Sequence, residues 1–234
     1  YITLGKPLPD YVYDERLFYF GCKVGNGLAD PQAMIDAVWQ PFTTLKLDRE
    51  ELFNPDRESH ILTYYKDNYP KATSSSELLD IGDGECGAFN TLFGYTLRYQ
   101  GIQSETVTLS AVDINEIFLV KEWEFAGKGI SGNSEYPYEN RPSTITRDQY
   151  GNFTSANRLT EGKYGWLGTP EVEERPGFAG QGNPNPFSEF KDHFIVKIGQ
   201  EYYDPSYGEK YDSIKKWEEE SVAGFYREVE YYNE

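Results

Sequence analysis

The stretch Leu78-Leu79-Asp80-Ile81-Gly82-Asp83-Gly84-Glu85-Cys86-Gly87-Ala88-Phe89-Asn90 constrains this chain more than any other. It begins as a short apolar run, breaks at closely spaced glycines, and then turns into a helical pattern that stops at Gly101. Within that pattern Phe89, Leu92, Phe93 and Leu97 recur at intervals of three and four, so one helix face packs inward. Cys86 stands where the turn becomes the helix. Free backbone N–H groups and the positive end of the helix dipole point at a residue so placed, which favours the thiolate over the thiol. The spacing therefore predicts a nucleophilic cysteine open to reagents, and a nucleophile of this kind needs a base.

Two histidines offer one. His60 sits in Glu58-Ser59-His60-Ile61-Leu62, near the expected start of a helix, with no obvious partner. His193 opens Asp192-His193-Phe194-Ile195-Val196-Lys197-Ile198-Gly199-Gln200-Glu201-Tyr202-Tyr203-Asp204-Pro205-Ser206, which reads as a β-hairpin around a Gly199-Gln200 turn. With those two residues as the turn, Ile198 pairs with Glu201 and Ile195 with Asp204. Side chains alternate along a strand, so His193, Ile195 and Asp204 share a face. A carboxylate there can hold one imidazole nitrogen while the other faces a thiol. A three-residue turn, absent a bulge, would put Asp204 on the opposite face.

Gly84-Glu85-Cys86 at a helix start, Gly101-Ile102 at its end, a strand carrying His193 and Asp204-Pro205-Ser206 after a hairpin occur in that order. This arrangement resembles the transglutaminase-like superfamily of papain-related folds, in its microbial form, over roughly residues 74–208. The resemblance implies Cys86 as nucleophile, His193 as base and Asp204 as the residue that orients the base. It implies an α+β fold with a papain- or transglutaminase-like core, N-terminal helices packed on an antiparallel sheet. It also implies a peptide or protein amide as substrate. The superfamily holds cross-linkers, peptidases, glycan amidases and inactive scaffolds, so a non-catalytic module binding peptide or glycan is the alternative. The Cys86 backbone N–H, with Tyr64 or Tyr65, is expected to receive the oxyanion.

The stretch between the cysteine and histidine blocks is longer than compact members of that superfamily have. Residues 127–190 are rich in glycine and proline and poor in apolar runs, as expected of a loop-rich insertion. A single domain over 1–234 is expected, with a helical part at 1–73 and the core at 74–126 and 191–234. Trp123 and Trp166 are the candidates to line a substrate cleft beside the insertion.

Local signals fill in the rest. Asp30-Pro31 starts a helix with Met34, Ile35, Val38 and Trp39 as its apolar stripe, ended by Pro41. Helices are expected over 47–53 and 59–69, and Ser74-Ser75-Ser76-Glu77 offers a capping box for another up to Ile81. Strands are expected over 105–112, 116–125 and 224–232.

A net charge of −17 excludes a phosphate backbone as a natural partner and disfavours anionic membrane surfaces. No run is apolar enough to insert in a membrane. Two cysteines are too few for a disulfide scaffold, and Cys22 is expected as a buried free thiol. No Cys-x-x-Cys or His-x-x-x-His spacing supports a metal, and no cofactor is expected. Gly82-x-Gly84-x-x-Gly87 matches a dinucleotide fingerprint, but Asp83 and Glu85 would repel a pyrophosphate and no βαβ unit surrounds it. Those same acids oppose a thiolate at Cys86 unless they face solvent and are screened. Twenty tyrosines, four tryptophans and one methionine, with a chain that starts at Tyr1, favour a secreted or cell-surface protein.

Overall fold

A computed structural model describes residues 3–8, 14–50, 60–66, 71–111, 116–120, 130–131, 157–159, 164–167, 179–184, 186 and 189–227. Helix and strand are mixed in an α+β arrangement. Helix α1 (Glu15–Val24) begins at Asp14, whose carboxylate accepts the Arg16 N–H at 2.9 Å. Helix α2 (Pro31–Thr43) begins as expected, with Asp30 accepting the Ala33 N–H at 2.8 Å and proline at its first position. Pro41 does not end it. The ring sits in the last turn, where it removes a single N–H and the helix closes two residues later. Helix α3 (Ser75–Ile81) is capped by Ser74, and Gly82 closes it in the left-handed conformation at φ 91°.

Helix α4 (Cys86–Tyr99) is the centre of the molecule. Ten of its residues are buried, on more than one face, because α1, α2 and α3 cover one side and a sheet the other. Trp39, Phe42, Phe93 and Tyr203 form an aromatic cluster between α2, α4 and the sheet, with ring centroids 5.0–5.8 Å apart.

Residues 59–69 are not helical where they are described. Ile61 bridges Asp48, and β1 (Thr63–Tyr64) pairs in parallel with β2 (Asp83–Gly84). The run Ile61-Leu62-Thr63-Tyr64-Tyr65 is β-branched and aromatic, and it buries Leu62, Thr63 and Tyr64 in succession, which suits an extended segment walled on both sides. Leu47 and Asp48 are likewise extended, with helical backbone only at 49–50; residues 51–53 lie outside the described set.

Two five-stranded sheets follow. The first orders β11 (Glu209–Tyr211), β10 (Glu201–Asp204), β9 (Asp192–Ile198), β3 (Glu105–Ala111) and β6 (Asn157–Leu159). The second orders β5 (Ile130–Ser131), β7 (Tyr164–Leu167), β12 (Val222–Arg227), β4 (Glu116–Val120) and β8 (Glu189–Phe190). Most pairs are antiparallel, but β3–β6 and β7–β12 run parallel. Strands β5, β6, β7 and β8 all come from the stretch expected as loop, so its described parts extend both sheets. Their shortness hid them, since strands of two to four residues carry little pattern. Helix α5 (Ile214–Ser221), capped by Ser213, connects β11 to β12.

Candidate active site

The hairpin takes the expected register. Ile198 faces Glu201 and Val196 faces Tyr203, which places His193 and Asp204 together on the side facing α4. His193 Nε2 and Asp204 Oδ2 lie 2.8 Å apart, both side chains essentially without solvent contact. With Nε2 committed to the carboxylate, Nδ1 is the nitrogen left for the thiol. It has no other hydrogen-bond partner, and Cys86 acts on the same ring.

Burial alone would push the imidazole pKa down. The Asp204 charge and hydrogen bond, reinforced by Cys86, outweigh burial and raise it to about 10. His193 therefore carries its proton at neutral pH, and an imidazolium beside the sulfur favours negative charge there. Three aromatic rings enclose the imidazole. Trp217 stacks on it at 5.7 Å and 19°, Phe190 lies at 5.1 Å and Tyr207 at 5.7 Å.

Two residues of this site escaped the sequence reading. Trp217, on α5, donates its indole N–H to Asp204 Oδ2 at 3.0 Å, so imidazole and indole share one carboxylate oxygen. The available signal was Asp212-Ser213 ahead of Ile214-x-x-Trp217, a capped short helix with its apolar residues on one side. Gln181 is fully buried and donates to Phe42 O at 2.6 Å and Pro205 O at 3.0 Å, tying the Asp204-Pro205 turn to the end of α2. Nothing in Gly180-Gln181-Gly182-Asn183 marks that glutamine as buried.

Cys86 opens α4 behind Glu85, which occupies the cap position without a side-chain cap bond. The approach is rigid: Thr63 N–H donates to Gly82 O, Tyr65 N–H to Gly84 O and Glu85 N–H to Ala72 O. Asp83 does not face solvent. It is buried, and its Oδ1 accepts from the Thr63 hydroxyl at 2.9 Å and the Lys66 N–H at 3.0 Å. Glu85 is half-buried, and its carboxyl is pushed up by burial and by Asp192 against the opposing pull of Lys71. Asp83 spends its charge on donors.

Tyr64 is fully buried beside this centre, edge to face with Tyr207 at 5.3 Å and with Phe89 at 5.9 Å. Burial raises the Tyr64 phenol well above its usual range, with Tyr207 and Cys86 adding to the shift. Tyr65 packs against Tyr64 at 4.8 Å, has φ 51°, and lies under the Lys71 ammonium. A positive φ at a tyrosine is strained backbone, and the Tyr65 N–H reaches Gly84 O, two residues before Cys86.

The thiol is not open to reagents as expected. Cys86 is 4% exposed, His193 0% and Asp204 1%, so all three are closed off from solvent. Cys22 is also a free buried thiol, but it lies at the α1–α4 contact, 3.8 Å from the Gln100 amide. Of the two tryptophans expected to line the cleft, Trp166 lies on β7 in the second sheet and Trp123 is outside the described residues. His60 lies in the extended segment, its N–H held by Asp48. Among the described residues no group of three or more His, Cys, Asp or Glu side chains could hold a metal ion, and no helix is long and apolar enough to cross a membrane.

No protein-family model matches the chain, and neither a curated protein nor a solved structure matches it.

Proposed function

We propose that the chain is a thiol-dependent amide hydrolase or acyltransferase of the transglutaminase-like, papain-related type. One observation carries this reading: a cysteine at a helix start, a histidine on a strand and an aspartate across the hairpin turn converge, with Nε2 on the carboxylate and Nδ1 left for the sulfur. Cys86 attacks the carbonyl carbon of a peptide or protein amide. His193 hands its proton to the departing amine, leaving an acyl-cysteine thioester. Water or a second amine then attacks the thioester and gives its proton back to His193, while the carbonyl group leaves Cys86. The Cys86 backbone N–H is an unspent donor at the helix start, and the Tyr64 hydroxyl is the neighbouring side chain suited to join it on the oxyanion.

Burial of all three side chains favours a second reading, a non-catalytic module that keeps the triad as buried structure and binds peptide or glycan elsewhere. The two separate by intact-mass spectrometry of the chain incubated with a mixed peptide library and a primary-amine probe. A Cys86 acyl adduct with amine-tagged peptides reports transfer, shortened or deamidated peptides report hydrolysis, and no change in any peptide refutes catalysis.

A further inference from the structure

A cavity of about 600 Å³ opens on the far side of β1, lined by Lys46, His60, Thr63, Lys66, Gly180 and Asn183 among others. Its volume suits a small ligand. Among the described residues that line it three side chains are basic and none is a carboxylate. In a chain of net charge −17 that local excess of cationic groups runs against the composition. Both lysines and His60 are exposed, and among the described residues neither lysine has an ion-pair partner. Two acids of the described residues near it are engaged in hydrogen bonds: Asp48 accepts the His60 and Glu50 N–H groups, and Asp83 accepts the Thr63 hydroxyl and the Lys66 N–H.

The walls are preformed. Gly182 N–H donates to Leu45 O at 2.8 Å, Gln181 N–H to Ser206 O at 2.9 Å, and Asn183 donates to the carbonyls of Tyr64 and Tyr65. Leu45 is held at φ 54° to make the first of these contacts. Gly182 is obligatory, since at φ 59° a Cβ would sit 2.5 Å from Leu62 O. Among the described residues this cup carries two ammonium groups and faces no carboxylate.

We propose that this cavity is a binding site for a small polyanion, whose carboxylate or phosphate groups are shared by Lys46 and Lys66 with His60 as a third contact. The site stands apart from the Cys86 chemistry and does not rest on it. The surrounding negative field repels anions from the rest of the surface, so adventitious binding is weak and a genuine site stands out.

The test is calorimetric titration of the full chain with citrate and, separately, with inorganic pyrophosphate, at matched ionic strength. Saturable one-site binding of either probe is expected, and which of them binds names the group recognised. Lys46→Gln with Lys66→Gln should weaken that binding at least tenfold, while Lys216→Gln on α5 leaves it unchanged. Failure of both probes to saturate overturns the proposal. Equal binding by the double variant overturns it too, since the anion then sits elsewhere. Circular dichroism confirms that the exposed lysines are dispensable for folding, and Cys86 acylation is read separately.

Discussion

The two halves of the triad are held by different means. The thiol end is fixed by its own neighbourhood: Gly82 turns the chain in the left-handed conformation and the helix starts four residues later at Cys86. The imidazole and carboxylate are fixed at a distance. Their strand register comes from the hairpin, but their orientation comes from Trp217 on α5 and from Gln181, which reaches the turn from another segment. On the proposed reading, a nucleophile positioned by local backbone should tolerate changes elsewhere. An acid–base pair oriented by distant side chains does not, so substitutions remote in sequence should reach the chemistry through the hairpin and not through the helix.

The largest effects break either half outright. Cys86→Ala should abolish every acyl adduct in the mass-spectrometric assay while leaving the fold intact, because a small apolar residue fits the buried helix start. His193→Gln should lower acylation by roughly 10²- to 10⁴-fold, the usual contribution of a positioned acid–base group. It should also destabilise the chain by about 3–5 kcal/mol in urea unfolding, since Asp204 is left buried without its charged partner. If His193→Gln acylates at the parent rate, the imidazole is packing and the local half alone makes the site.

Asp204→Asn tests the distant half more gently. The carboxylate is what holds the His193 pKa near 10 against burial, so the asparagine variant should release that proton at lower pH, seen in the imidazole NMR signals. The sign for stability follows. A histidine whose folded pKa is raised from 6.5 to about 10 contributes fully below pH 6.5 and loses that contribution as pH rises to 10. The parent should thus weaken over that window, and Asp204→Asn should flatten the decline. An unchanged slope would mean that another group titrates there.

Trp217→Phe is smaller again. The ring keeps its stacking on His193 but loses the N–H donated to Asp204, worth about 1.5–3 kcal/mol for a bond to a charged group. Acylation should fall with kcat while KM holds, and the His193 proton should be released at an altered pH. A stability loss with no change in that titration would make Trp217 a packing residue only.

This division explains what the sequence made legible. The Cys86 helix, its glycine stop, the Asp30 and Ser74 caps and the hairpin register all follow from residues within a few positions of one another, where capping and turn chemistry act. Trp217 and Gln181 act across the fold, and no pattern near them names Asp204 or Pro205 as a partner. The 61–65 segment misled for a related reason: its extended form is set by Asp48 and by β2, which are far from it in sequence. Strands β5 to β8 are two to four residues long and exist through pairing with β4, β7, β12 and β3, so their own composition reads as loop.

The smallest effect sharpens the local half. Glu85 caps α4 without using its side chain, and burial raises its carboxyl pKa. A carboxyl whose folded pKa exceeds its unfolded value binds its proton more tightly when folded. Its contribution is therefore present at low pH and lost as pH climbs through that raised value, which leaves the ionised form a mild burden at neutrality. Glu85→Gln keeps the shape and removes the charge. At pH 7 it should raise stability by about 0.5 kcal/mol or less, a net in which relief of the buried charge exceeds the lost attraction to the helix dipole. Below pH 4 the gain should vanish, because the parent is then neutral as well. Alkylation of Cys86 by iodoacetamide should also quicken, since the residue preceding the cysteine no longer carries a negative charge. Slower alkylation, or a loss of stability at pH 7, would show that the carboxylate serves the helix start more than it opposes the thiolate.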